Sequence, residues 1–348
     1  MKMYMSETKA FNKLEFEVNP KEHTILFGNG IHRLIKDEFE WGSCLKTIIK
    51  NEDILKDYTH AFEDIVLNRK YKENIVPDEC NELYGVFKEV KKRFCVNLQN
   101  MSKDKSFING AKPYFEELLN LGVTHYMTTN YDDSIMSVCN FSSVVVPKNL
   151  ESTYSLQRYA NYVINGEEKT LWRIHGQLNN GNSQSVILGY SQYSGYLRKL
   201  IDYIVSGKLR DASDSRLTRG KNEDYMFCKL RNKSKEVNSW TDLFFMTNVH
   251  IIGFGMNFSE LELWEILNRR KQYIEKCKIN NFYGNIIENE IHFYGNSESN
   301  HDLIVALKAY GVQVHNLDIK ASKDDNSRWK YYMNENIKEL KKNIANGH

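Results

Sequence analysis

Short apolar runs rich in β-branched and aromatic residues alternate with longer amphipathic stretches along most of this chain. The runs predict strands at residues 23–28, 123–129, 142–146, 169–174, 185–189, 244–253, 290–294 and 312–316. Helical patterns lie between several of them, at Pro113–Leu119, Glu260–Asn268 and Asp302–Tyr310. Strands that alternate with helices favour a parallel sheet, and nearly continuous apolar runs are typical of strands covered on both faces. We therefore expect an α/β fold with a Rossmann-like, doubly wound parallel sheet.

Two stretches interrupt this alternation. Residues 36–104 have helical patterns without a strand pattern, and residues 191–243 begin with an amphipathic helix and then become polar. We interpret both stretches as helical insertions that cap the ligand edge of the sheet. The Rossmann-like core then comprises residues 1–35, 105–190 and 244–325, and a C-terminal helix covers residues 326–348.

The second interruption contains a basic segment, residues 208–235, with nine Lys or Arg residues against four Asp or Glu residues. A solvated loop or a mobile helix pair is the simpler interpretation of such a charge run. A contact for a partner protein or for the phosphates of a nucleotide is the alternative. We prefer the simpler interpretation.

Composition and charge exclude several classes of protein. Lys and Arg number 47 and Asp and Glu 45, and this balance does not indicate a nucleic-acid-binding protein. The six cysteines are scattered and form no C-x-x-C pair, so we expect no cysteine zinc site and no other metal. No apolar run approaches the ~20 residues that span a membrane, and the first residues lack the apolar stretch of a signal peptide. We expect a cytoplasmic protein that does not associate with membranes.

Four segments place small or polar residues at the ends of predicted strands. They are ILFGNGI (25–31), YMTTNYDD (126–133), WRIHGQL (172–178) and VHIIGFGMNFSE (249–260). Ligands of open α/β sheets bind at the carboxyl ends of the strands, so we expect these segments to form one site. The candidate residues are Gly28, Asn29, Gly30, Thr129, Asn130, Asp132, His175, Gly253, Gly255 and Asn257.

Each segment also has a simpler interpretation. The turn Gly28–Gly30 can bring backbone N–H groups to a pyrophosphate, but the usual third glycine is replaced by Arg33, and a plain strand-to-helix turn is equally consistent. Asn130 can cap a helix or form an Asx-turn. His175 can simply end a strand.

Taken in order, the four segments resemble the sirtuin family, and more closely its bacterial NAD-consuming branch. That family has a Gly-x-Gly loop that cradles the NAD diphosphate, a Thr-x-Asn-x-Asp segment, a strand ending in His-Gly, and a glycine-rich strand end. The matching residues here are Gly28–Gly30, Thr128–Asp132, His175–Gly176 and Gly253–Asn257. The G-Y-S at Gly189–Ser191 is also typical of this branch.

The resemblance implies roles for the matching residues. Asn130 would hold the nicotinamide ribose and position the attacking water, with Thr129 beside it in the NAD site. Asp132 would bind the nicotinamide carboxamide, and His175 would act as general base or orient the ribose hydroxyls. The glycine loop with Asn29 would contact the diphosphate. The last segment, through Gly253, Gly255 and Asn257, would contact the diphosphate and the adenosine ribose.

Two departures from the family bear on the reaction. The deacylase sirtuins carry a four-cysteine zinc module after the histidine, and the cysteines of this chain are not paired in that way. Their substrate-peptide motif is not evident either. Both departures disfavour protein deacylation and leave the predicted NAD site intact.

The expected activity is therefore hydrolysis of NAD, as substrate, to ADP-ribose and nicotinamide. By resemblance, such a protein would be a gated effector of bacterial anti-phage defence. We expect it to form a homo-oligomer or to act with a separate ATPase or sensor protein. The alternatives are a non-catalytic subunit that senses NAD or ADP-ribose, and an NAD-dependent protein deacylase or ADP-ribosyltransferase.

Overall fold

The computed structural model describes most of the predicted sheet and its covering helices. The described residues are 16–35, 63–65, 100, 104–132, 134–135, 143–145, 154–177, 186–209, 223–279, 284–295, 301–316 and 325–346. Nearly all of the predicted insertion at 36–104 lies outside them, as do residues 210–222 of the basic segment. The division into a core and two insertions stays a prediction.

The described strands, named in chain order, are β1 (Phe16–Glu17), β2 (His23–Phe27), β3 (His125–Thr128), β4 (Ser143–Val145), β5 (Tyr159–Ile164), β6 (Glu167–Arg173), β7 (Glu236–Val237), β8 (Asn248–Ile252), β9 (Ile291–Gly295) and β10 (Gln313–Asn316). The described helices are α1 (Gly30–Arg33), α2 (Lys105–Leu119), α3 (Gly189–Ser206), α4 (Tyr225–Arg231), α5 (Trp240–Met246), α6 (Leu261–Ile279), α7 (His301–Ala309) and α8 (Asp325–Asn346). None of these helices is both long enough and apolar enough to cross a membrane.

Eight strands form one sheet in the order β10-β9-β8-β2-β3-β6-β5-β4. The six strands from β10 to β6 are parallel, and β5 and β4 extend the sheet antiparallel. Along the chain, β2, β3 and β6 proceed to one side, and β8, β9 and β10 then proceed to the other. This is the strand order of the Rossmann fold, whose direction reverses between its first and fourth strands, here β2 and β8.

Helices cover both faces of the sheet, which confirms the expected doubly wound α/β architecture. Residues of α3, α4, α5, α6 and α7 pack on one face, against Leu26, Met127 and Trp172. Residues of α1, α2 and α8 pack on the other, against Ile25, Tyr126 and Leu171. Side chains of one strand alternate between the two cores because a strand has a period of two residues.

The strand and helix predictions were largely confirmed, with three errors. Residues 186–188 form no strand; the Ile187 N–H donates to the carbonyl of His175, and the apolar run is buried without joining the sheet. The apolar run 244–253 contains the end of α5 as well as β8. Strand β5 was missed, although the Asn165–Gly166 pair is a typical hairpin-turn sequence. In the structure both residues have positive φ in the tight turn that joins β5 to β6.

The solvated-loop interpretation of the basic segment is wrong for its described helix, α4. Residues Tyr225–Leu230 of this helix are buried. The Lys229 ammonium lies 2.9 Å from the Asp242 carboxylate, and both side chains are at most 1% exposed. Asp242 also accepts hydrogen bonds from the Tyr203 hydroxyl and from two backbone N–H groups. A buried lysine is tolerated here because its partner carboxylate is fully hydrogen-bonded.

A row of four histidines, His23, His250, His292 and His315, crosses β2, β8, β9 and β10. The Nδ1 of His23 lies 2.8 Å from Nε2 of His250, and the rings of His250 and His292 stack with centroids 4.7 Å apart. His292 Nδ1 lies 3.0 Å from His315 Nε2. Burial and the neighbouring histidines lower the pKa of His250, and the same causes lower that of His292 to about 4. Burial also lowers the pKa of His315, so these three rings are neutral at pH 7.

This histidine row should make the fold less stable in mild acid. Below pH 6.5 the unfolded chain binds protons at His250 and His292 that the folded chain excludes, so the free energy of unfolding falls as pH falls towards 4. The slope is about 1.4 kcal/mol per pH unit for each histidine whose protonation the fold excludes. Urea unfolding between pH 7 and 5 measures it. The His292→Gln substitution should reduce the slope, while His301→Gln, at an exposed position, should leave it unchanged. Equal stability of the wild type at pH 7 and pH 5 would contradict this account.

Candidate functional site

The four sequence segments leave the sheet side by side. Phe27 of β2 is paired with Thr128 of β3 and with Ile252 of β8, and Thr128 is paired in turn with Arg173 of β6. Because these strands are parallel and in register, the residues that follow them emerge at the same edge. The structure thus brings the four segments together, as the sequence predicted, around the point where the strand order reverses.

Two glycine loops touch each other at this reversal. The N–H of Gly30 donates to the carbonyl of Gly253 over 2.8 Å, and a Cβ on Gly30 would lie 2.6 Å from that oxygen. Gly253 has a φ of 60°, and a Cβ on Gly28 would lie 2.7 Å from the Phe254 ring. Close packing of the loops therefore explains these three glycines. The helix α1 that follows has only one turn, so its dipole adds little to anion binding.

The rest of the last segment lies on the surface. Gly255 and Asn257 are exposed, and Asn29 of the first segment is half-buried. The carbonyl of Asn257 accepts hydrogen bonds from the Glu260 N–H and from Nε1 of Trp264, each over 3.0 Å. These bonds stabilise the loop between β8 and α6. Both use the backbone carbonyl of Asn257 and do not involve its side chain.

Asn130 joins the end of β3 to the first glycine loop. Its side chain is buried, and its Nδ2 donates to the carbonyl of Gly28 over 3.2 Å. Its own N–H donates to Oγ1 of Thr128 over 3.1 Å, and the intervening Thr129 is also buried. The side-chain bond spans 102 residues of sequence, so Asn130 does not form the local Asx-turn that we considered. Its Oδ1 remains as an acceptor at the sheet edge.

The local turn belongs instead to Asp132. Its Oδ1 accepts from the Ser134 N–H over 2.8 Å and lies 3.2 Å from Nε2 of His32 on α1. Arg173 donates to its backbone carbonyl. Burial raises the pKa of Asp132, but the attraction and hydrogen bond of His32 and the bonds from Ser134 lower it more, so the net shift is well below the ordinary range. Asp132 is thus an ionised group that fixes the segment after β3.

His175, two residues beyond β6, lies between two carboxylates. Its Nε2 is hydrogen-bonded to Oε1 of Glu262 and lies 3.3 Å from Oε2 of Glu260. Burial lowers the pKa of His175, but the charges of Glu262 and Glu260, the Glu262 hydrogen bond and the charge of Glu63 raise it to about 9. At pH 7 the ring is an imidazolium. Both carboxylate contacts use Nε2, which leaves Nδ1 for another partner.

Two tyrosines and a third carboxylate complete the surroundings of His175. The ring centroids of Tyr131 and Tyr193 lie 6.3 and 5.4 Å from that of His175, and their hydroxyls are 3.2 Å apart. Glu63 is buried and accepts a hydrogen bond from the Gly189 N–H at the start of α3 over 2.7 Å. A described part of the predicted 36–104 insertion therefore lies beside the site.

One group in the described part of the chain has the spacing of metal ligands. It consists of His175, Glu260 and Glu262, whose ligand atoms lie within 4.8 Å of one another. The same atoms form the ion pair described above, in which Nε2 of His175 is hydrogen-bonded to Glu262, and a cation bound there would displace the imidazole proton. The expectation of no metal stays a prediction.

Sequence reasoning missed several residues that the structure places here. They are His32, Glu63, Tyr131, Tyr193, Glu260 and Glu262. A signal existed for the last two, because the E-L-E at 260–262 follows the last motif directly and opens a predicted helix. Acidic residues at a helix start are also common as dipole partners, so the pattern alone does not distinguish this role.

The contact between the glycine loops can be tested by substitution. Gly30→Ala should lower the free energy of unfolding by about 1–3 kcal/mol, because the new methyl overlaps the backbone of Gly253. Gly255→Ala is the matched control, since its nearest neighbour is 3.7 Å from the added Cβ. Urea denaturation measures both variants. Equal stability of the two variants would show that the loops do not pack as described.

Comparisons with known proteins assign no role to the residues of this site. Neither the models of known protein families nor the curated proteins contain a match to this chain.

Proposed function

We propose that this protein is an NAD glycohydrolase that converts NAD and water into ADP-ribose and nicotinamide. The observation that carries the proposal is that a buried amide and a buried imidazole lie at matching positions on neighbouring strands, near the point where the strand order reverses. Asn130 and His175 each lie two residues beyond the paired positions Thr128 and Arg173, on neighbouring strands. Two such polar groups at matching positions suit a ligand that lies across both strand ends.

The position of the glycine loops supports a dinucleotide as that ligand. In Rossmann folds, dinucleotides cross the crevice where the strand order reverses, with the pyrophosphate near the first glycine loop. Here that crevice lies between β2 and β8, where the loops of Gly28–Gly30 and Gly253–Gly255 meet. Because the other loop fills the space beside Gly28 and Gly30, a phosphate would approach the backbone at the more open Gly255.

The reaction requires little acid catalysis. The C1′–N bond of the nicotinamide ribose breaks, and the electron pair leaves with nicotinamide, which is neutral once released. Water forms the new C1′–O bond and its proton passes to solvent. In this scheme Oδ1 of Asn130, whose amide nitrogen is occupied by Gly28, accepts a hydrogen bond from the water or a ribose hydroxyl. Asp132 holds the loop that carries Asn130 and offers its second oxygen to the carboxamide.

His175 acts in this proposal as a charged donor that orients the ribose. With a pKa of about 9 it cannot serve as general base at pH 7, which favours the second of the two roles considered from the sequence. Its Nδ1–H would donate to a ribose hydroxyl. Three carboxylates, Glu63, Glu260 and Glu262, outnumber this one positive charge. Their field favours the positive charge that develops on the ribose as nicotinamide departs.

From the resemblance to the bacterial NAD-consuming branch, we include regulation in the proposal. Unrestrained NAD hydrolysis kills the cell that performs it. We therefore propose a cytoplasmic, gated effector of anti-phage defence, which acts as a homo-oligomer or with a separate ATPase or sensor protein.

Incubation of the purified chain with NAD tests the reaction. We expect ADP-ribose and nicotinamide in equal amounts, measured by liquid chromatography. Asn130→Ala and His175→Ala should each lower kcat by about 100-fold or more, because each removes a contact to the reacting ribose. Asn120→Ala, an exposed amide that precedes β3 at the opposite edge, is the matched control and should retain full activity.

Calorimetric titration with NAD and thermal unfolding of each variant accompany the assay. Full turnover in both folded site variants would refute the assignment of Asn130 and His175. Tight NAD binding without nicotinamide release, over a range of protein concentrations, would favour the sensor alternative, and the same result with the partner protein present would refute hydrolysis.

A further inference from the structure

We propose that Glu262, outside the residues matched to any family motif, is a positioning residue that holds the His175 ring through Nε2 and presents Nδ1 to the ribose. This role deepens the proposed NAD hydrolysis and rests on it. Glu260, directly before α6, contributes a second, weaker contact to the same ring nitrogen. The two glutamates together determine which ring nitrogen of His175 points to the substrate.

The environment of Glu262 supports a dedicated pairing. The residue is in the first turn of α6, and its side chain is 1% exposed. Its Oε1 is hydrogen-bonded to His175, and its Oε2 has no hydrogen-bond partner among the described residues. Burying a carboxylate costs several kcal/mol unless a charged partner offsets the loss of water. Within the described structure His175 is the group hydrogen-bonded to this carboxylate, so the histidine is a direct explanation for the burial of Glu262.

The backbone around Glu262 keeps it in place. The preceding residues form a turn in which the N–H of Glu260 donates to the carbonyl of Asn257 over 3.0 Å. Leu261 between the two glutamates is 40% exposed, as expected when its neighbours point inward. The start of a 19-residue helix also favours an ionised carboxylate, because the helix dipole is positive there.

The two glutamates hold His175 unequally. Glu262 makes a direct hydrogen bond, whereas the nearest oxygen of Glu260 is 3.3 Å away, and the Glu260 side chain is 16% exposed. The other titratable groups that face the ring are Glu63, Tyr131 and Tyr193. Neutralising Glu262 should therefore change the His175 charge most, and neutralising Glu260 should change it less.

Glu262→Gln is the decisive variant because glutamine keeps the size and an acceptor oxygen but loses the charge. In the wild type, kcat should fall as pH rises through about 9, when His175 loses its proton. In Glu262→Gln this fall should move to lower pH by at least about one unit, which corresponds to the loss of one strong charge partner. A one-unit shift lowers kcat about twofold at pH 8 and about tenfold at pH 10, with the KM for NAD within about threefold of wild type.

Glu260→Gln is the matched comparison and should give a smaller shift in the same direction. A purely structural role would lower the amount of folded enzyme at every pH and leave the pH profile where it was. Superimposable profiles of kcat for wild type and Glu262→Gln would overturn the proposal.

A direct titration separates this proposal from the proposed activity. Protein labelled with ¹³C at histidine Cε1 is titrated by NMR, and the His175 signal is identified by its loss in His175→Asn. We expect its pKa to drop in Glu262→Gln and to drop less in Glu260→Gln. Hydrolysis of NAD without this drop would refute the positioning role alone. The drop without hydrolysis in the wild type, with the partner protein present, would refute NAD hydrolysis and leave the Glu262–His175 pairing without a catalytic role.

Discussion

In-register parallel pairing of β2 with both of its neighbours determines where every candidate group lies. Phe27 is level with Thr128 on one side and with Ile252 on the other. A slip of one residue in either pairing would turn each strand over and move its side chains to the opposite face. It would also separate Gly30 from Gly253, whose backbones touch only because both strands end at the same height. The contact between the glycine loops therefore depends on the strand register.

The pKa values of histidines in and next to the sheet are shifted in two opposite directions. In the row from His23 to His315, rings face other rings, and burial lowers the pKa values of His250, His292 and His315. At the carboxyl edge, His175 faces carboxylates and is held charged. The same side chain thus serves as an apolar packing unit in one place and as a cation in another. The difference comes from the neighbours, since burial alone would lower the pKa in both places.

The sequence was sufficient to predict the fold class and the meeting of four strand ends, because both follow from apolar periodicity and from strand-tip residues. It was insufficient where burial removes periodicity. The helix Trp240–Met246 is buried on all sides and merged with β8 into one apolar run. The basic segment misled for a related reason: Lys229 is paired inside the core with Asp242, which only tertiary structure reveals.

Of the candidate site, only the residues that directly follow strands were predictable from the sequence. Asn130 and His175 end strands and could be found from their motifs. Glu262 and Glu63 come from other parts of the chain, and no local pattern links them to His175. A cluster of this kind is defined by tertiary contacts between distant residues, and one sequence without structure contains no measure of such contacts.

The span of these contacts has a consequence for synthesis of the protein. Asn130 is bonded to a residue 102 positions earlier, and His175 to one 87 positions later. Domains form during translation from the amino terminus, at about 5–20 residues per second. A ribosome that has made the chain as far as His175 has therefore produced the amide and the imidazole without the carboxylates of α6. The charged form of the site is completed only when α6 folds back against β6, late in the life of the nascent chain.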